Sequence, residues 1–164
     1  MKKRWKLTAM VFVLAGLLMA GVFAGAAPRS SATGGGIEWS SYAEGLERSK
    51  AENKKVLLAF HADWCRYCQQ MDKETFGNQA VIAYINRYFI PVSVNLETRR
   101  EIAARYNVRG LPSTWFLSEN GGVIGSRPGY IPADEMLTIL EYIGSDSYQT
   151  MNYRSFLEKS PTVE

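Results

Sequence analysis

Phe60-His61-Ala62-Asp63-Trp64-Cys65-Arg66-Tyr67-Cys68 holds both cysteines and the single histidine of this 164-residue chain. An apolar run, Val56 to Phe60, leads into it and reads as a buried strand. Gln69 to Phe76 follows and reads as a helix. The cysteine pair therefore falls where the C-terminal end of a strand meets a helix N-terminus. The first turn of a helix has unpaired backbone N–H groups and the positive end of the helix dipole. Both favour a thiolate, which is the reactive form of cysteine. The chemistry this stretch predicts is thiol–disulfide exchange.

Toward the N-terminus, Lys2, Lys3, Arg4 and Lys6 precede an uncharged, mostly apolar run from Leu7 to Ala27. Ala24-Gly25-Ala26 has the small-x-small form of a signal-peptidase site. Two readings of residues 1–26 stand: a cleaved signal peptide or an uncleaved membrane anchor. A run of ~20 residues exceeds the roughly 7–15 of a usual signal core and nears the ~20 that span a bilayer. The small residues at its end favour cleavage. Either outcome exports the rest of the chain to the periplasm or another extracytoplasmic space. No cysteine lies near Ala27, which excludes a lipoprotein anchor. The four leader bases more than account for the formal net charge of +3. The basic balance thus says nothing about nucleic acid, and no basic patch with interleaved aromatics follows the leader. No nucleic-acid partner is expected.

Disulfides persist in oxidising compartments. One between Cys65 and Cys68 closes only a tiny loop, so it removes little entropy from the unfolded chain. A redox role is the better reading than a structural staple.

Residues 27–36 are rich in Ser, Ala and Gly and read as a flexible linker. One domain is expected over 37–146, with a helical extension over 147–164. Ile37 to Trp39 reads as a short edge segment. Ser40 or Ser41 caps a helix to about Asn53, with Tyr42, Leu46 and Ala43 as its apolar stripe. Val56 to His61 is apolar on both faces, as in the middle of a covered sheet. Asn78 caps a helix through Tyr88 whose inward positions are Val81, Ile82, Ile85, Tyr88 and Phe89. The stretch Phe89 to Leu96 contains another strand, Val92 to Val94, and a helix from Thr98 to Tyr106 follows. Ser113 to Leu117 and Val123 to Ser126 form an antiparallel hairpin around Asn120-Gly121. Pro132 opens a helix through Ile143 with Met136, Leu137, Leu140 and Ile143 inward. This alternation predicts an α/β fold, a central mixed sheet with helices on both faces. Sites on such sheets lie beyond the carboxyl ends of the strands, where the cysteines sit.

The pattern from Val56 to Ile143 resembles the thioredoxin fold. Trp64-Cys65-Arg66-Tyr67-Cys68 resembles the family's Trp-Cys-x-x-Cys. Val108-Arg109-Gly110-Leu111-Pro112-Ser113 resembles the segment that holds its cis-proline. Gly129 resembles the glycine that opens a view of the disulfide. Ala-Asp-Trp-Cys and the following Glu-Thr-Phe look most like the C-terminal domain of the electron carrier DsbD and exported proteins of the SoxW type. The resemblance implies that Cys65 is the exposed attacking thiolate and Cys68 the buried resolving thiol. It implies that Leu111, before a cis Pro112, offers its backbone to a partner peptide, and that Trp64 packs beside the disulfide and gives partners a flat apolar surface. It implies a redox-active disulfide with no other cofactor, protein disulfides as substrates, a membrane thiol protein as electron donor, and a monomer. The chain departs from the family at Ala59, where thioredoxins bury an acid that takes the proton of the second thiol. Asp72, one turn after Cys68 on the same helix face, is the first candidate to replace it; Asp63 or a water is the alternative.

Three functions compete. The first is a reductase of partner disulfides. The second is an oxidase or isomerase, separated from the first by about 150 mV, or roughly 7 kcal/mol, of thiolate stabilisation. Tyr67, where oxidases and isomerases often carry His, and the apolar Leu111 favour the reductase. Arg66 beside the thiolate pulls the other way. The third is a redox-inert binding module or metal carrier. His61 with the two cysteines makes at most three ligands where structural zinc wants four, so no metal is expected. His61 otherwise tunes the cysteines from the strand end or is simply a polar residue at a strand terminus.

Overall fold

The computed structural model describes residues 35–159. The two readings of 1–26, most of the 27–36 linker and the last residues of the 147–164 extension lie outside the described residues.

Strand β1, Lys55–His61, is buried along its length until His61. It runs parallel to β2, Phe89–Asn95, and antiparallel to β3, Ser113–Leu117. Strand β4, Val123–Pro128, pairs antiparallel with β3, giving the order β2-β1-β3-β4. The sheet is mixed, as the sequence predicts. Its central strand is apolar on both faces because both are covered. Leu57 and Ala59 point into one core, with Met71, Val81, Ile85, Met136 and Leu140. Val56, Leu58 and Phe60 point into the other, with Ala103 and Tyr106.

The first core is roofed by α2 (Arg66–Glu74), α3 (Gln79–Tyr88) and α5 (Ala133–Gly144). The second is roofed by α1 (Tyr42–Glu52) and α4 (Arg100–Arg105). These helices have at most 12 residues, too short to stand alone in water. Burying a Leu or Ile side chain contributes about 1.5–3 kcal/mol, so the two cores hold them in place.

Several local expectations need correction. Ala43 is exposed; α1 faces the sheet through Tyr42, Gly45, Leu46 and Ser49. Small residues at Gly45 and Ser49 let α1 lie close on β2, which moves the contact stripe off Ala43. Asn78 caps α3 as expected, accepting from the N–H groups of Ala80 and Val81. Phe89, however, is the first residue of β2, because the chain turns extended directly after Tyr88. Tyr88 is exposed and packs at a tilt on Tyr84, with ring centroids 4.6 Å apart. Helix α4 begins at Arg100, not Thr98. Leu137 is only partly buried, and Ile139 takes its inward place on α5. The edge pairing expected near Ile37 is a single bridge from Ser40 to Val92.

After α5, a 3-10 turn, Ser147–Gln149, leads to α6, Tyr153–Lys159. Tyr142 of α5 packs on Tyr153 and Phe156, and its hydroxyl donates to the Met151 carbonyl at 2.6 Å. At the start of β1, the Lys55 ammonium bridges Glu119 at 3.3 Å and Asp146 at 3.0 Å. Burial works against its charge, but the hydrogen bonds and fields of the two carboxylates outweigh that and raise its pKa.

Gly45 offers a test of the α1–β2 approach. Alanine is the better helix former by roughly 1 kcal/mol, yet a Cβ there would run into Val92 Cγ2. Overpacking costs about 1–3 kcal/mol. Gly45→Ala is expected to lower the urea midpoint of unfolding; a raised midpoint would show that Val92 yields freely.

Candidate active site

Cys65 is the N-cap of α2, and its Sγ accepts the Cys68 backbone N–H at 3.2 Å. The cap forms because the chain leaves β1 through a tight turn, with the Cys65 N–H donating to the Ala62 carbonyl at 3.1 Å. The two cysteines are disulfide-bonded, with Cα atoms 5.2 Å apart. The expected exposure of Cys65 does not hold: it is 5% exposed and Cys68 is 7%. Ala62 is buried with the pair, and the partly buried Leu111 packs against them. Exposure therefore does not distinguish the two thiols. Position does, because the Cys65 sulfur receives a helix N-terminal N–H that favours its anion.

The Leu111–Pro112 peptide bond is cis. It brings Leu111 against the disulfide and Pro112 into the cavity beside it. The Pro112 carbonyl accepts the Gly129 N–H at 2.8 Å. Gly129 has φ 88°, and a Cβ there would meet nothing within 4 Å. The residue is thus glycine for its backbone conformation, and the surface over it stays open. The β1–β3 ladder ends at Ser113, and among the described residues the Leu111 backbone has no hydrogen-bond partner.

On its inward side Cys68 borders a cavity of about 120 Å³. His61, at the end of β1, and Asp72, one turn along α2, line the same cavity. The structure thus places Cys68, His61, Asp72 and Pro112 around one cavity. Asp72 is exposed. Asp63, the other nearby carboxylate, accepts from Asn95 Nδ2 at 3.0 Å. Ala59 lies between Ser93 on β2 and Thr114 on β3. Ser93, Thr114, Trp39 and Phe76 also line the cavity and escape sequence reasoning. Thr114 carries no signal, since a threonine inside a strand is ordinary.

Outside the cavity, Arg66 and Tyr67 open α2 and are exposed. Trp64 is 66% exposed. Ala62 and the partly buried Leu111 pack with the disulfide. Trp64 instead lines a separate cleft with Leu96, Arg100 and Val108.

A family model described as a thioredoxin-like domain matches residues 42–144. The chain belongs to the thioredoxin-like family. This thioredoxin-like chain is 32% identical to the thiol:disulfide interchange protein DsbD of Actinobacillus pleuropneumoniae over 109 residues, 63% of this chain and 19% of that protein. It is 28% identical to the disulfide bond reductase DsbH of Chlamydia pneumoniae over 108 residues, 58% of this chain and 64% of that protein. It therefore spans about a fifth of the first relative and less than two thirds of the second. Among solved structures, a thioredoxin from Thermus thermophilus superposes with a TM-score of 0.61 at 30% identity, covering 66% of this chain and 88% of that one. The DsbD C-terminal domain of Neisseria meningitidis shares the fold, with a TM-score of 0.51 at 22% identity over 60% of this chain and 90% of that one. The enzyme class expected from the sequence, a thiol–disulfide oxidoreductase, agrees with the names of these relatives.

Among the described residues, no group of three or more His, Cys, Asp or Glu side chains is arranged to hold a metal ion. Nor is any described helix long and apolar enough to cross a membrane.

The segment after Gly129 is clipped to α2 by the Tyr130 hydroxyl, which donates to Glu74 Oε2 at 2.7 Å. Gln70 donates to the same oxygen at 3.0 Å. The Tyr130 bond is the largest cause holding Glu74 below its ordinary value, and that bond likewise raises Tyr130. A carboxyl with a depressed folded pKa contributes stability above its unfolded value, and this is lost as pH falls through the folded one. In Tyr130→Phe the Glu74 carboxyl is expected to titrate closer to 4.5 by NMR. An unmoved titration would mean that the clip is not formed in solution.

Proposed function

We propose that the chain is an exported reductase of protein disulfides that works through Cys65 and Cys68. One observation carries this reading: the Cys65 sulfur sits on the N-terminus of α2, beside the unpaired backbone of Leu111. A partner strand laid along Leu111 would bring its disulfide to Cys65 by backbone pairing, which needs no particular partner sequence. The Cys65 thiolate then attacks one partner sulfur, forms a mixed disulfide and releases the other sulfur as a thiolate. Cys68 loses its proton and attacks the Cys65 sulfur. The Cys65–Cys68 bond forms, and the second partner sulfur leaves with the electron pair and takes up a proton. Two electrons pass from the dithiol to the partner, and no cofactor takes part.

The leader, 1–26, carries the domain into an oxidising space, as a cleaved signal or as an anchor. There the oxidised pair needs an imported source of electrons. A membrane thiol protein fits that need, and the similarity to DsbD supports it. The half-buried Leu111 and the exposed Trp64 and Tyr67 form the partner-facing surface, with Pro112 buried behind them. The opposite direction, oxidation or isomerisation, draws on Arg66: this exposed cation next to Cys65 stabilises the reduced thiolate and so makes the disulfide more oxidising.

Two variants test the scheme. Cys68→Ser cannot complete the second step, so it should accumulate reducible adducts with exported proteins through Cys65. Recovering none from cells producing the variant would contradict the exchange mechanism. Asp72→Asn removes the carboxylate that lines the cavity beside Cys68, at a site where a positioned base contributes about 10²–10⁴-fold. Resolution by Cys68 should slow by roughly tenfold or more while attack by Cys65 is unchanged. Stopped-flow resolution kinetics equal to those of the unaltered protein would dismiss Asp72.

A further inference from the structure

The hydroxyl of Thr114 is the one buried side-chain oxygen or nitrogen without a hydrogen-bond partner among the described residues. Thr114 is 1% exposed. A buried hydroxyl left unpaired is costly, and such groups usually mark an ordered water or a functional role. Thr114 lines the cavity that Cys68 borders. It lies across β1 from Ser93, with Ala59 between them, so the three share one face of the sheet. That face is the one packed against α2, since Ala59 and Met71 belong to one core. The methyl of Ala59 leaves room between two hydroxyl-bearing residues. The cavity of about 120 Å³ exceeds the ~10–15 Å³ needed to seat one water. Its lining is mostly apolar, but Thr114, Ser93, His61 and Asp72 also line it and together offer the two to four polar partners a buried water requires.

We infer that Thr114 holds a water against the inward side of Cys68, and that this water takes the Cys68 proton when the thiol resolves a mixed disulfide. Thr114 is a positioning residue: it never touches the reacting sulfurs but fixes the water that does the proton transfer. The proton passes from the Cys68 Sγ to the water and on to Asp72, the carboxylate on the cavity wall. The Cys68 thiolate attacks the Cys65 sulfur, the new disulfide forms, and the leaving thiolate carries the electron pair away. The titratable groups facing Cys68 across the cavity are His61 from β1 and Asp72 from α2; β2 and β3 contribute only the hydroxyls of Ser93 and Thr114. The inference rests on the thiol-exchange reading above but not on its direction.

The test uses the reduced full chain and dithiobis-nitrobenzoate. The first coloured thiolate reports Cys65 attack, which is bimolecular. The second reports Cys68 resolution, which is unimolecular. In Thr114→Val the second phase is expected to slow roughly tenfold, a small part of what a positioned base contributes. Its pH midpoint should move upward while the first phase stays unchanged. Thr114→Ser, which keeps the hydroxyl, should restore both rate and midpoint. A Thr114→Val second phase with unaltered rate and midpoint overturns the proposal, and so does equal slowing of both phases. A reduction potential that contradicts the reductase reading leaves both phases readable, so the two failures are distinguishable.

Discussion

The hydrogen bond from the Cys68 N–H to the Cys65 sulfur is the constraint on which the site depends. It exists only if β1 ends at His61 and α2 begins at Arg66. The Cys-x-x-Cys spacing then places the second cysteine one turn inside the helix, with its own N–H aimed back at the first sulfur. A negative charge on Cys65 is stabilised by this donor and by the helix dipole. The same anion on Cys68 has no such donor from the helix start. The burial of β1 on both faces fixes where the strand ends, and so fixes the chemistry.

Both cysteines are buried with apolar neighbours: Ala62 from the turn and Leu111 from the loop before Pro112. A low-dielectric cover strengthens the interaction of a thiolate with the nearby helix dipole. In the proposed exchange, a partner laying its own backbone along Leu111 would displace water from this cover. The exposed Trp64, Arg66 and Tyr67 stand around that approach as the surface a partner would meet. On the inward side the cavity beside Cys68 is mostly apolar, walled by Trp39, Met71 and Phe76, but it also holds the hydroxyls of Ser93 and Thr114, the His61 imidazole and the Asp72 carboxylate.

The fold was legible in the sequence because its strongest signals are local. The doubly apolar Val56 to Phe60 run announced a central strand, and Asn78 announced a helix start. The hairpin at Asn120-Gly121 and the cis bond before Pro112 were also within reach. Contacts across elements were less legible. Ala43 looked like an inward residue by periodicity, but Gly45 meeting Val92 set the true stripe. Phe89 fitted a helix stripe equally well until the chain's turn into β2 put it in the sheet. The burial of Cys65 depends on Leu111, which lies far along the chain. Thr114 was invisible as a site residue because only the strand register sets it beside Ala59 and the cavity. Sequence order gave the reacting pair; the groups that serve it come from strand pairing.

The central claim is that Cys65 and Cys68 carry electrons toward partner disulfides. The equilibrium of the pair with glutathione at pH 7 measures its reduction potential and tests that claim most directly. The account predicts a value near that of reducing thioredoxins, about −270 mV, and at any rate more negative than about −200 mV. A value near −120 mV, typical of strong disulfide donors, would contradict it.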